Sequence, residues 1–408
     1  MTAREGRQRR MIISLPPHVC ACIETLEQAG FEAWAVGGCV RDLLRGVNPH
    51  DYDLTTSALP VDTMRLFPHV VPTGLPYGTV SVITPQGPLE VTTFRTETAY
   101  LDFRRPSGVI FASRLRDDLS RRDFTVNAMA YTPAKGLCDF FGGEADLKAR
   151  VIRAVGEPAL RFQEDALRVL RAFRFASQLD FVIEEDTITA ALSCGRNLSK
   201  ISAERVAAEL VKALMGSRPS RLFPLLKSGA LAFCGLMPPN ITSFETFDRL
   251  PLVDSLRLAS LCFLCSAQVR PVCAALKMSN ALQKAAAAYH RQLTEPAPRT
   301  RSELKQRFSK LPPECWGGLL QARALLLGEK NEMLREQWKD VLAKREPWCL
   351  SQLAVNGNDL RALGILPGRE TGNALQMLLQ AVMEHPEWNT KEKLLEIISK
   401  RMDHQAGG

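Results

Sequence analysis

Residues 35–57 read AVGGCVRDLLRGVNPHDYDLTTS, and their reading decides the fold of everything before residue 150. The apolar run from Phe31 to Val36 predicts a short strand that stops at Gly37 and Gly38, after which residues 39–46 open a helix. Backbone N–H groups at such a turn, together with a helix N-terminus, favour phosphate oxygens. Tyr52, Leu54 and Thr55 suit a second strand, in which Asp51 and Asp53 stand at i and i+2 and point to one side. Two carboxylates on one face repel each other unless a cation lies between them, and a hard cation with oxygen ligands, magnesium, fits best. A Gly-Gly pair alone marks many turns, and an Asp-x-Asp alone marks many solvated edges. Joined within one strand–turn–helix–strand stretch, they read as a nucleotide-and-metal site.

The 408 residues are enough for several domains, and a hydrophobic fraction of 46% supports sizeable cores. The formal charge of +8 suits a polyanionic partner, although the same excess spread over a large surface is also ordinary. Eleven cysteines lie scattered in apolar segments, no secretory apolar segment follows the basic start MTAREGRQRR, and no run approaches the length of a membrane span. The expectation is a cytoplasmic protein with no membrane segment. Cys262 and Cys265 form a CxxC inside LASLCFLCSAQV, but no second thiol or His pair stands at ligand spacing, so they read as buried core thiols.

PPHVCACIETLEQAG reads as a helix with prolines at its start and Gly30 at its stop. Beyond Asp53, GTVSVIT (78–84) and LEVTTFRT (89–96) alternate around a Pro-Gln-Gly turn and predict a hairpin. Glu90 in the second strand either completes the metal site or is an edge charge facing water. Residues 97–118 read as a mobile loop. Arg121, Arg122 and Asp123 then stand at the entrance of a strand running from Phe124 to Tyr131, a cluster suited to triphosphate and ribose contacts. A glycine-containing turn, DFFGGEAD, closes a first domain near Arg150.

From about residue 158 helical periodicity takes over. ALRFQEDALRVLRAFRFASQL reads as one long helix with an apolar stripe of Leu160, Leu167, Leu170, Phe173 and Ala176. A second stripe holds Arg161, Asp165, Arg168, Arg171 and Arg174. A solvated face of salt bridges accounts for Glu164, Asp165 and Arg168, whereas the density of arginine beside a nucleotide domain points to function. KISAERVAAELVKALMG follows as a helix capped by Ser202, and further helices continue to the tail LAVNGNDLRALGILPG.

GGCVRD with DYDLTT, VTTFRTETAYLDFRRP, DDLSRRDFTVNAMAY, DFFGGEADL, RFQEDALRVLRAFRFA and ISAERVAAEL occur in this order from about Phe31 to Met215. Together they resemble the class II tRNA nucleotidyltransferase and poly(A) polymerase family of the DNA polymerase beta superfamily, most closely its bacterial CCA-adding branch. Two departures, Ala166 and Arg369 where that family usually has proline, touch no proposed chemical group. The resemblance implies an α+β fold: an N-terminal polymerase-beta-type nucleotidyltransferase domain with a mixed sheet and flanking helices, then an elongated all-α region. It divides the chain into a catalytic head (1–150), a nucleotide-selecting neck (151–216), a helical body (217–345) and a tRNA-binding tail (346–408).

By the same resemblance Asp51 and Asp53 carry magnesium, with Glu90 as third carboxylate. Gly37, Gly38 and Arg41 hold nucleotide phosphates, Arg122 the triphosphate and Asp123 the ribose. Asp165 and Arg168 read the incoming base, Glu164 orients Arg168, and Arg171 and Arg174 support the pair. The implied substrates are tRNA, CTP and ATP. Three neighbouring readings compete: a poly(A) polymerase, which typically carries longer basic extensions; a partial CC- or A-adding enzyme, against whose CC-only form the loop from Thr96 to Arg105 argues; and a non-catalytic RNA-binding protein.

Overall fold

The computed structural model describes residues 13–97, 109–241 and 244–406. The chain forms two compact units, one of Met1–Asp248 with Ala274–Met278 and the other of Arg249–Cys273 with Ser279–Gly408.

The first unit opens with helix α1 (Pro17–Gln28). Pro17 at its first turn needs no donor there, and Val19, Cys22, Ile23 and Leu26 bury one face at helical spacing. Gly30, at φ +90°, turns the chain into strand β1 (Ala33–Val36), whose four residues are all buried. Then come α2 (Gly38–Leu44), β2 (Asp53–Thr56), α3 (Pro60–Leu66), β3 (Val70–Gly74), β4 (Thr79–Thr84) and β5 (Gly87–Thr93). Short strands β6 (Arg95–Glu97) and β7 (Val109–Phe111) pair antiparallel and are followed by α4 (Leu115–Ser120). Of the segment expected as a mobile loop, residues 98–108 lie outside the described residues, and with them most of the Thr96 to Arg105 element.

Strands β8 (Met129–Thr132) and β9 (Gly136–Asp139) complete a seven-stranded sheet in the order β3-β4-β5-β2-β1-β8-β9, with α5 (Gly143–Ala149) after it. The sheet is mixed: β2 and β5 run parallel, and every other pairing is antiparallel. Strand β8 starts later than the sequence pattern suggested, because Thr125–Asn127 form a 3-10 turn. Asp123 explains this, since its Oδ1 accepts from the Phe124 N–H at 2.8 Å and from Asn127 Nδ2 at 3.1 Å, offering the backbone a local turn in place of a ladder.

The expected long helix over 159–179 is two helices, α6 (Pro158–Glu164) and α7 (Leu167–Leu179). The break is chemical: Asp165 is extended at φ −133°, and its Oδ1 accepts from the Leu167 N–H at 3.0 Å, so it ends one helix and starts the next. The stripe reading fails accordingly at Leu160, which is 54% exposed. Helix α7 is largely interior, with Arg168 and Arg174 buried among its apolar residues and only Gln178 of its residues exposed. After α8 (Glu185–Cys194), α9 (Ala203–Leu214) packs along α7. Ser202 precedes α9 as expected, yet its hydroxyl makes no cap bond.

The second unit is helical, with no strand among its described residues. One of its cores joins Val355, Leu360, Leu378, Val382, Leu394 and Ile398. Cys262 and Cys265 are buried, as the apolar sequence around them indicated. No single described helix is long and apolar enough to cross a membrane. The α+β class, with a mixed N-terminal sheet and a helical C-terminal half, is the one the sequence motifs implied.

Candidate active site

Strand β2 begins at Asp53 rather than at Asp51, which lies in the approach to it. Both side chains are exposed into one cleft of about 480 Å³ within the first unit. In the parallel pairing of β2 with β5, Asp53 stands in register with Glu90, so the two carboxylates share a face of the sheet. Glu90 is exposed and does not line the cleft. Crowding by protein atoms first, and the Asp51 and Glu90 carboxylates next, push Asp53 up to about 6, against the opposing pull of Arg122. The same carboxylate opens to solvent, so part of that repulsion is screened. Among the described residues no three His, Cys, Asp or Glu side chains form a ready metal cage. Two hard carboxylates whose mutual repulsion a cation would relieve fit a hard divalent cation such as magnesium.

Gly37 adopts φ +81°, a region that disfavours L side chains, and its N–H donates to the Met129 carbonyl at 3.2 Å. A Cβ there would come within 3.0 Å of Arg122 Nη1, so the bare turn lies directly under that guanidinium. Arg41 is buried, forks onto Asp42 at 2.9 and 2.8 Å and donates to Asn127 Oδ1 at 2.6 Å. Asp123 is also committed: its Oδ2 accepts from Arg171 Nε at 2.8 Å and Nη2 at 2.5 Å. Burial alone would raise its pKa, but Arg171, Asn127 and Arg168 outweigh burial and hold it at about 2.

The helix break brings the other half of the site. Glu164 pairs with Arg161 at 2.5 Å through one oxygen and with Arg168 at 2.6 Å through the other. Arg168 Nη2 donates to the Arg121 carbonyl at 2.8 Å. Asp165 Oδ2 accepts from Arg205 of α9 at 2.9 Å. Arg171 and Arg174 reach Glu209 of α9 at 3.7 and 2.5 Å, and the ring of Phe175 lies 3.7 Å from the Arg174 guanidinium carbon and 5.3 Å from those of Arg171 and Arg41. Burial lowers the Arg174 pKa against the pull of Glu209.

Thus Gly37, Gly38, Arg41, Asp51, Asp53, Arg122, Asp123, Asp165, Arg168, Arg171 and Arg174 all line the one cleft, while Glu90 and Glu164 are not part of its lining. Sequence reasoning missed Asn127, Phe175 and Arg205 of its lining, and Asp118 and Glu209 behind it. Arg205 and Glu209 carried a signal, a charged i, i+4 pair on the largely apolar face of ISAERVAAEL; Asp118 carried none beyond its place beside two arginines.

Family models match three stretches: the "Poly A polymerase head domain" over residues 33–153, the "Probable RNA and SrmB- binding site of polymerase A" over 180–233, and tRNA nucleotidyltransferase domain 2 over 255–398. The CCA-adding enzyme of Pediococcus pentosaceus is 36% identical over 390 residues, covering 93% of this chain and 96% of the relative. The chain belongs to the CCA-adding enzyme family. The Enterococcus faecalis CCA-adding enzyme is likewise 36% identical, over 93% of this chain and 94% of its own length. The Bacillus stearothermophilus CCA-adding enzyme, solved in complex with CTP, matches with a TM-score of 0.78 and 33% identity over 96% of this chain and 100% of that one. Like other CCA-adding enzymes, the chain is a nucleotidyltransferase.

Proposed function

We propose that this enzyme completes or repairs the CCA end of tRNA in the cytoplasm, adding nucleotides from CTP and ATP without a nucleic-acid template and releasing pyrophosphate. The observation that carries the reading is the convergence, in one cleft, of the Asp51–Asp53 carboxylates, the Arg122 guanidinium over the glycine turn, and the Asp165–Arg168 pair at the helix break. The relatives named above are CCA-adding enzymes, one of them solved with CTP, and the family model over residues 255–398 is a tRNA nucleotidyltransferase domain.

Asp51 and Asp53 would hold magnesium, with Glu90 beside them on the same face. A magnesium held by these carboxylates would supply Lewis-acid chemistry, lowering the pKa of the RNA 3′-hydroxyl and offsetting charge on the leaving pyrophosphate. The bare turn at Gly37 and Gly38 leaves room for phosphate oxygens under Arg122, and Arg41, Arg171 and Arg174 keep that wall positive. Asp123 holds Arg171 in place and, lining the same cleft, would meet the ribose.

Cytosine and adenine each present an exocyclic amine beside an unprotonated ring nitrogen, which asks for one acceptor and one donor. Asp165 supplies the acceptor: a carboxylate has about four lone-pair sites, and here two are taken, by Leu167 and Arg205. Arg168, steadied by Glu164 and the Arg121 carbonyl, supplies the donor. Uracil and guanine show the reverse pattern and would set a carboxylate against a carbonyl, which is penalised. In this reading the head (1–150) performs the transfer, the neck (151–216) selects the base, and the helical body (217–345), which is the basic part of the C-terminal half, and the tail (346–408) bind tRNA by shape and phosphate contact.

The test incubates the purified protein with magnesium and tRNAs lacking all, the last two or only the last nucleotide of the CCA end, with CTP and ATP singly and together. Ordered addition that stops after the terminal A is expected. Long A-tails on unrelated RNA, or addition of CC alone, would overturn the reading.

A further inference from the structure

Asp118 lies behind the cleft wall with its side chain 0% exposed, and no proposed step of the reaction uses it. Its Oδ2 accepts from the hydroxyl of Thr55 at 3.1 Å and pairs with Arg122 at 3.5 Å. Its Oδ1 accepts from Arg121 Nη2 at 2.7 Å and Nε at 3.0 Å, and from the Arg95 N–H at 3.4 Å. Burial works against its charge, yet Arg121 and Arg122 keep the pKa below the ordinary value.

What it joins matters more than how it is held. Thr55 sits two residues along β2 from Asp53, on the same side of the strand. Arg122 is the guanidinium over the glycine turn. Arg121 and Ser120, at the end of α4, give their carbonyls to Arg168 at 2.8 Å and to Arg161 at 3.2 Å, and both of those arginines are held by Glu164. A single buried carboxylate therefore ties the strand of the reacting carboxylates, the phosphate-side arginine and the anchor of the base-reading arginine into one hydrogen-bonded network.

Burying an ion cluster of this kind contributes little net stability over apolar packing, because desolvation offsets the Coulombic gain. Its use is positional. We propose that Asp118 is a positioning residue that sets the spacing between the Asp51–Asp53 site and the Asp165–Arg168 pair, so that transfer is fast only when the base fits. The proposal rests on the nucleotide-selecting reading above. It requires that loosening Asp118 slow the chemical step and blur base choice together.

The test uses full-length Asp118→Asn, which keeps the size and loses the charge, and Thr55→Val, which removes the hydroxyl that reaches Asp118 at 3.1 Å and the Thr92 carbonyl at 3.2 Å and leaves the carboxylate in place. Initial rates of CMP and UMP addition to tRNA lacking CCA give kcat and KM; thermal shifts with CTP and with UTP give binding without transfer. For Asp118→Asn the kcat with CTP is expected to fall roughly 10²-fold with KM within about threefold, the scale of a small misplacement remote from the reacting atoms. The CTP-to-UTP ratio of kcat/KM is expected to fall about tenfold, within the range one pocket contact controls. Thr55→Val moves both quantities the same way by a smaller factor. Unchanged discrimination in folded Asp118→Asn and Thr55→Val, or activity that merely tracks the folded fraction, overturns the assignment. If the wild type binds CTP in preference to UTP yet transfers nothing to tRNA, the proposed reaction fails, and the binding arm alone decides Asp118: the preference narrows in the variants, or the assignment is wrong.

Discussion

Asp53 and Glu90 stand opposite each other across the parallel β2–β5 pairing, and the strain between them belongs to the metal-free protein. Crowding, Asp51 and Glu90 raise Asp53 from 3.8 to about 6, so between those values the folded state binds its proton more tightly than the unfolded one. Stability then falls as pH rises through that window and stays lower above it. Replacing Asp53 by Asn should abolish nucleotide transfer and stabilise the chelator-treated protein at pH 8 by about 1 kcal/mol, a figure reduced for the exposure of the carboxylate. Melting temperatures in EDTA at pH 8 and pH 4.5 check this: the variant's gain over the wild type is larger at pH 8 than at pH 4.5, where the window has only begun to open. An equal or lower melting point at pH 8 would remove the charge-strain account.

Asp123 has the opposite sign. Its pKa is held at about 2 by Arg171, Asn127 and Arg168 in spite of burial. The stabilisation is therefore complete above the ordinary carboxylate value near 4 and is lost as pH falls from there toward 2. Asp123→Asn should cost about 2 kcal/mol at pH 7 and flatten the acid limb of a urea-midpoint profile between pH 4 and 2. A variant whose profile keeps the wild-type slope would show that this carboxylate is not what titrates.

At Gly37 a methyl group faces two obstacles, the φ of +81° and the Arg122 guanidinium 3.0 Å from where Cβ would be. The backbone strain is about 1–2 kcal/mol, which a protein of this size survives. The greater effect is on function, since Arg122 must move from over the turn. Gly37→Ala should raise the KM for both CTP and ATP about tenfold or more with little change in base preference, because Asp165 and Arg168 are set by the helix break and not by the glycine turn. Steady-state kinetics with each nucleotide measure it; a selective loss with one nucleotide would place Gly37 in base reading instead.

These effects mark where the sequence was transparent. The strand–turn–helix–strand order around Gly37 and Asp53 was legible because each element carries its own local signal, the apolar run, the glycines and the β-branched strand. The break at Asp165 was hidden by periodicity: Leu160, Leu167 and Leu170 keep helical spacing across a point where one carboxylate redirects the backbone. The arginines at 168, 171 and 174 were visible as a stripe, but whether that stripe met water or acid depended on Glu209 and Asp123, partners distant in sequence. Asp118 shows the limit most clearly: its pairs with Arg121 and Arg122 are local, but its burial, its bond to Thr55 and the hold of the Arg121 carbonyl on Arg168 arise only once β2, α4 and the helix break are assembled.

The second unit offers a test of stability apart from the reaction. Lys305 is 0% exposed and donates to Glu346 at 2.9 Å, and Glu346 also pairs with Arg301 at 2.5 Å. Arg301 has a second partner, Asp340 at 2.7 Å, and is partly exposed, whereas Glu346 is the acid that Lys305 is seen to pair with. Breaking a buried pair from one side leaves an uncompensated charge and costs about 3–5 kcal/mol, while replacing both partners by apolar groups is often near neutral. Glu346→Gln should therefore lower unfolding stability by about 3 kcal/mol, and adding Lys305→Met to Glu346→Leu should recover most of it, since Arg301 retains Asp340. Urea denaturation followed by the fluorescence of Trp316 and Trp348, which flank Phe308 in this unit, reads the change locally. If the single substitution costs no more than the double, the pair is not what holds this part of the unit, and packing around Phe308 carries its stability instead.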